Sequence, residues 1–98
     1  MGYYTYYELG VTPTDGVDHE QEINTTTGYG DCFGYEIKWY EHERHMRKYS
    51  TRYPKHLFEL RGAGEENGDL WIEYYKNGQM QRCRGKVVYD DYDEALLD

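Results

Sequence analysis

Read in steps of two, residues 3–9 place Tyr3, Thr5, Tyr7 and Leu9 on one side of an extended chain and Tyr4, Tyr6 and Glu8 on the other. An aromatic-rich alternation of this kind, closed by Gly10 and by Thr12-Pro13-Thr14-Asp15-Gly16, predicts a first strand. Residues 12–34 are acids, threonines and glycines anchored only by Val17, Ile23, Tyr29 and Phe33, which predicts a long acidic loop with a short helix around residues 18–23. The period then changes. Tyr35, Trp39, His42, Met46, Tyr49 and Tyr53 recur every three or four residues, one stripe of a helix, with Lys38, Glu41, Arg44, His45, Lys48 and Arg52 opposite. A helix over 36–51 follows, ended ahead of Pro54, which disfavours helical geometry in the residue before it.

Alternation returns at 56–61, with Phe58 and Leu60 inward, and at 69–75 after a turn-rich loop at 62–68. Asn77-Gly78 suits a type I′ turn, which needs positive φ at both central positions. It joins the third strand to a fourth over 79–89, and a two-residue loop sets the pairs Lys76/Gln79, Tyr75/Met80, Tyr74/Gln81, Glu73/Arg82, Ile72/Cys83, Trp71/Arg84, Leu70/Gly85 and Asp69/Lys86. On this reading Leu70, Ile72, Tyr74, Cys83 and Val87 face the core. Glu73 opposite Arg82, Asp69 opposite Lys86, and a Trp71–Arg84 cation–π pair occupy the other face. The pattern as a whole predicts one α+β domain over 1–98: one main helix packed on an antiparallel sheet of about four strands, with an acidic tail over 90–98 docked by Leu96 and Leu97.

Composition explains how so polar a chain folds. Its 98 residues are only 38% hydrophobic, below the usual 45–50% or so, but include thirteen tyrosines, which supply buried area with a polar tip. Charge is sorted along the sequence. Residues 1–37 hold seven acids and no base, residues 38–86 hold all eleven lysines and arginines with seven acids, and residues 87–98 hold five acids and no base, for a net charge of −8. Two anionic arms repel a phosphate backbone and attract a basic partner, which disfavours duplex nucleic acid as ligand.

Candidate chemistry is sparse. Cys32, His42, His45 and Cys83 are zinc-ligand types, but His42 and His45 diverge on the helix and no Cys-x-x-Cys pair exists, so no metal or other cofactor is expected. Ser50, the only serine, has no nucleophile context, and Gly62-Ala63-Gly64-Glu65 lacks the lysine of a phosphate loop. The carboxylates fall in solvated segments, so no enzyme activity is expected. Both cysteines read as reduced thiols, in keeping with an opening segment that has neither the basic start nor the apolar core of a secretory signal. Gly2 does not make a myristoylation signal with Tyr6 and Tyr7 behind it, and no apolar run reaches the ~20 residues of a membrane span.

Across about half the chain, Trp39-Tyr40-Glu41-His42-Glu43, Met46, Ser50-Thr51-Arg52-Tyr53-Pro54, Leu57-Phe58-Glu59-Leu60, Gly62-Ala63-Gly64-Glu65-Glu66, Asp69-Leu70-Trp71, Tyr74 and Gly78-Gln79-Met80-Gln81 resemble a family of small bacteriophage and prophage proteins. The resemblance implies a context, the cytoplasm of a bacterial host, and no catalytic residue. In size and charge it points to anti-CRISPR proteins and other host-defence inhibitors. The expected function is therefore stoichiometric inhibition of a basic host protein that binds nucleic acid, such as a CRISPR effector, by phosphate mimicry. The expected contact residues are Asp15, Asp18, Glu20 and Glu22 of the loop, Glu65 and Glu66, and Asp90, Asp91, Tyr92, Asp93 and Glu94 of the tail. The alternatives are a weak single-strand binder using Arg44, Arg47, Lys48 and Arg52 with neighbouring tyrosines, and a structural protein whose partner is a second copy of itself, a homodimer.

Overall fold

The computed structural model describes residues 3–66, 68–85 and 91–97, and its architecture is α+β. In chain order the elements are β1 (Thr5–Thr12), α1 (His19–Thr27), β2 (Glu36–Ile37), α2 (His42–Ser50), β3 (Leu57–Gly64), β4 (Leu70–Lys76), β5 (Gln79–Arg84) and a 3-10 turn (Glu94–Leu96). The five strands form one antiparallel sheet in the order β2-β1-β3-β4-β5. Among the described residues no helix is long and apolar enough to cross a membrane.

β1 alternates as its sequence predicts, with Thr5 and Tyr7 buried and Tyr4, Tyr6 and Glu8 turned outward. β3 runs three residues past its expected end, because Gly62 pairs with Trp71 and the indole lies across it. A Cβ at Gly62 would sit 2.1 Å from the ring, so only glycine leaves room. The core gathers Tyr7, Ile23, Cys32, Phe33, Trp39, Met46, Tyr49, Phe58, Leu60 and Tyr75. Its tyrosines satisfy their hydroxyls internally: Tyr7 donates to the Trp39 carbonyl at 3.2 Å, and Tyr49 meets His19 Nδ1 at 2.7 Å.

Both helical expectations change. α1 is a nine-residue helix that runs four residues past the end of the short helix expected around 18–23. Asp18 caps it by accepting from the Gln21 amide, Gly28 closes it in the left-handed region at φ 78°, and buried His19, Ile23 and Asn24 hold it to the sheet. Packing there outweighs the poor helix propensity of Thr25, Thr26 and Thr27. α2 is shorter than 36–51, because Glu36 and Ile37 are drawn into the sheet opposite Tyr6 and Thr5. Trp39 is buried ahead of the helix, Tyr35 is 63% exposed rather than part of the stripe, and Met46 and Tyr49 fill the buried face while Arg44, Lys48 and Arg52 stay in solvent.

The hairpin turns at Asn77 (φ 47°) and Gly78 (φ 80°), and its register from Lys76↔Gln79 to Trp71↔Arg84 is the expected one. Its faces are inverted. β3 sets them: Phe58 and Leu60 point into the core, and their partners Tyr75 and Glu73 must share that face. Leu70 is therefore 51% exposed, Ile72, Tyr74 and Cys83 are only half-buried, and Glu73 is buried at 1% exposure. The buried carboxylate accepts from Arg82 Nε at 2.6 Å and from the Tyr75 hydroxyl, and His42 Nε2 approaches to 3.0 Å, close enough for charge pairing though not aligned for a hydrogen bond. Trp71 stacks on His42, with ring centroids 5.0 Å apart, rather than on Arg84. Asp69 accepts from the Tyr3 hydroxyl. Lys86, Val87 and the expected strand residues 86–89 lie outside the described residues. Leu96 and Leu97 are 75% and 65% exposed, so the tail is not docked by them as expected.

Two measurements test this core. Trp39→Ala should cost about 3–5 kcal/mol in denaturant unfolding, as for other buried aromatics; an unchanged midpoint would mean that the indole is not a core group. Against the burial that opposes ionisation, His42, Tyr75 and Arg82 hold the Glu73 pKa down to about 2. The native state thus holds fewer protons than the unfolded chain, and the Glu73 contribution is complete above about pH 4.5 and is lost as pH falls towards 2. The loss expected across that window is on the order of 3 kcal/mol. Glu73→Gln should remove this contribution to the acid-dependent loss and leave the part due to other depressed carboxylates such as Asp15.

Candidate partner-binding surface

The acidic segments leave the sheet at different places. Thr12 of β1 pairs with Leu57 and Thr5 with Gly64, so residues 15–22 follow one end of β1 while Glu65 and Glu66 follow the strand beside its other end, about 25 Å away at ~3.3 Å per residue. These two groups do not converge. Asp90 lies outside the described residues. Asp91, Tyr92, Asp93 and Glu94 are exposed, and Asp93 caps the 3-10 turn by accepting from the Ala95 amide at 3.0 Å.

Several expected contact residues hold the fold together. Asp18 caps α1, Glu22 accepts from the Tyr53 hydroxyl at 2.9 Å, and Glu65 accepts from the Tyr4 amide at 3.0 Å, while the Glu66 amide donates to the Tyr3 hydroxyl at 3.1 Å. Glu20 is exposed and has no such duty. Partial burial raises its pKa, and the neighbouring charges of Asp18 and Asp31 raise it further. Glu20 and Glu8 also line one cavity of about 260 Å³ with Tyr6, Tyr7, Leu9, Phe33 and Gly34. Asp18, Glu20 and Asp31 thus form a like-charged group beside Glu8. Asp31 and Glu8 join it through the fold, and spacing in the chain gives no sign of that.

Cations do not relieve this group. Among the described residues, every Lys or Arg bridge to a carboxylate uses Glu41, Glu43, Glu59 or Glu73: Arg44 to Glu41 at 2.9 Å, Arg47 and Arg82 to Glu43 at 3.0 Å each, Arg61 to Glu59 at 2.9 Å, and Arg82 to Glu73. These bridges all lie within the central segment, and no Lys or Arg among the described residues bridges an acid of 3–37 or 91–97.

Asp15 is the centre of a compact cluster. Its Oδ1 accepts from the Val17 amide at 3.0 Å, its Oδ2 lies 3.0 Å from His19 Nε2, and the same oxygen lies 2.6 Å from His56 Nε2. The amide bond, and then the two imidazoles, hold the Asp15 pKa down to about 2 despite some desolvation. The four residues first considered for zinc are not gathered: Cys32 is buried against Thr27, His42 is beside Glu73, His45 accepts from the Trp39 indole at 2.9 Å, and Cys83 is on the opposite face of the sheet. With this geometry in hand, comparison with known proteins finds no matching family model, characterised protein or solved structure.

The anionic group makes a testable demand on stability. Raising salt to about 0.15 M shortens the Debye length to about 8 Å and screens the repulsion among Asp18, Glu20 and Asp31. The melting temperature should rise with salt, and the triple variant Asp18→Asn, Glu20→Gln, Asp31→Asn, which keeps the capping side chains, should flatten that rise.

Proposed function

We propose that this chain is a phage-type inhibitor that binds a basic host protein, a CRISPR effector or another protein that binds nucleic acid, in the bacterial cytoplasm, and competes there with phosphate. The observation that carries the reading is the segregation of charge: among the described residues the bases that bridge a carboxylate, Arg44, Arg47, Arg61 and Arg82, all do so within their own central segment, while the exposed carboxylates around α1 have no Lys or Arg bridge. Like charges held near one another on a folded scaffold lower their free energy when a cationic surface arrives. Such complementarity acts mainly on association rate and specificity, and it weakens with salt. The resemblance to small phage proteins supplies the biological setting.

The same pairing weakens half of the single-strand alternative, since Arg44 and Arg47 bridge Glu41 and Glu43, while Lys48 and Arg52 are exposed and bridge no carboxylate among the described residues. Self-association draws support from a different place, the sheet face turned away from the helices, where Tyr4, Tyr6, Leu57 and Leu70 are exposed.

The test is capture of the partner from host lysate, followed by calorimetry at two salt concentrations. The expected outcome is a basic nucleic-acid-binding partner whose affinity falls with salt and drops at least tenfold in the Asp18→Asn, Glu20→Gln, Asp31→Asn protein. Equal affinity for both proteins, or none of the expected salt dependence, would refute phosphate mimicry. A concentration-dependent mass with no captured partner would instead favour the homodimer.

A further inference from the structure

Two stretches far apart in sequence meet at Asp15: the turn after β1 with the first residue of α1 four positions on, and the residue just ahead of β3. The contributed atoms are Asp15 Oδ2, His19 Nε2 and His56 Nε2, and all lie within 4.8 Å of one another. Two imidazole nitrogens and a carboxylate oxygen are a donor set suited to divalent transition ions of intermediate softness. A tetrahedral zinc with bonds of 2.0–2.1 Å separates its ligands by about 3.3 Å, so contacts of 2.6–3.1 Å need to open by less than about 1 Å to admit the ion.

The two rings are already oriented. His19 is 4% exposed, with the rings of Tyr53 and Phe58 edge-on at 4.8 and 5.2 Å, and its Nδ1 meets the Tyr49 hydroxyl at 2.7 Å. A hydroxyl both donates and accepts. It can therefore accept a hydrogen bond from Nδ1–H when the Nε2 lone pair is needed elsewhere, the outer support common to metal-bound histidine. His56 stacks on Phe58 at 6.2 Å and is tilted against Tyr53 at 5.4 Å, which points its Nε2 at the same carboxylate oxygen. Asp15 and His19 also line a cavity of about 410 Å³ with Leu9, Val11 and Val17, giving space for a water as a further ligand.

We propose that Asp15, His19 and His56 form a binding site for one divalent first-row transition ion, zinc or cobalt(II) in chemical class, which clamps the turn after β1 to α1 and to the start of β3. On binding, each neutral imidazole presents its Nε2 lone pair and keeps its proton on Nδ1, which meets the Tyr49 hydroxyl in His19 and has no hydrogen-bond partner in His56 among the described residues, and no covalent or redox change is required. The simpler account, a carboxylate accepting from two Nε2–H groups, uses the same atoms with the opposite tautomers, and the two accounts differ in what added metal does.

The experiment is titration of chelator-treated protein with cobalt(II), followed by its visible d–d absorption, and thermal melting with and without zinc. Wild type should show a saturable transition at one equivalent and a melting temperature raised by more than about 5 °C at saturating zinc. His56→Gln, a change at a side chain 18% exposed, should melt as a folded protein and lose both responses. Asp15→Asn should do the same, whereas His45→Gln, at a ring that accepts from the Trp39 indole and is not part of the cluster, should retain both. Tyr49→Phe should bind about tenfold or more weakly, as expected for loss of an outer partner. Absence of a one-equivalent transition, an equal signal in His56→Gln, or its loss in His45→Gln would overturn the assignment.

Discussion

The charge on Glu73 constrains more of this molecule than any other single group. A carboxylate in the interior is several kcal/mol out of place unless it is both paired and hydrogen-bonded. Here Arg82 reaches it from β5, Tyr75 from two residues along β4 itself and His42 from α2. Arg82 continues to Glu43 on α2, so one ion network joins the edge hairpin to the helix packed over it. Removing the charge symmetrically, with an apolar pair in place of Glu73 and Arg82, could preserve packing area, but it would abolish the directional contacts that tell α2 where to sit on β4.

This network also explains which parts of the fold were legible beforehand. The turn at Asn77-Gly78 and the register of both hairpin strands follow from local chemistry, because positive φ at two residues admits few alternatives. Which face of that hairpin turns inward is decided by β3, a neighbour distant in sequence. By pattern alone Leu70, Ile72 and Tyr74 outrank Trp71, Glu73 and Tyr75 as core residues. Phe58 and Leu60 reverse that order by pairing with Tyr75 and Glu73, and the buried acid becomes tolerable only with partners from elsewhere in the fold. The same holds for 35–39, where helical periodicity was real for His42, Met46 and Tyr49, but a two-residue strand captured Glu36 and Ile37.

Site chemistry was less legible still, for the same reason. Acid-rich segments are visible in any sequence, yet their separation across the sheet and the company that Glu20 keeps with Asp31 depend on topology. The Asp15 cluster shows this best. Asp15 and His19 are one helical turn apart, a weak signal by itself, and His56 is 41 residues further from Asp15. Nothing in the spacing unites them before β1 and β3 pair in register from Thr5↔Gly64 to Thr12↔Leu57.

The one-sided sheet has a colloidal consequence. Tyr4, Tyr6, Leu57 and Leu70 give the outward face enough exposed apolar surface for molecules to stick face to face. Mutual repulsion from a net charge of −8 opposes that encounter near neutrality. Near pH 4.9, where the sequence carries no net charge, that repulsion is weakest while the apolar face remains, so mildly acidic solution most favours face-to-face association, well above the pH at which the buried carboxylate gives way.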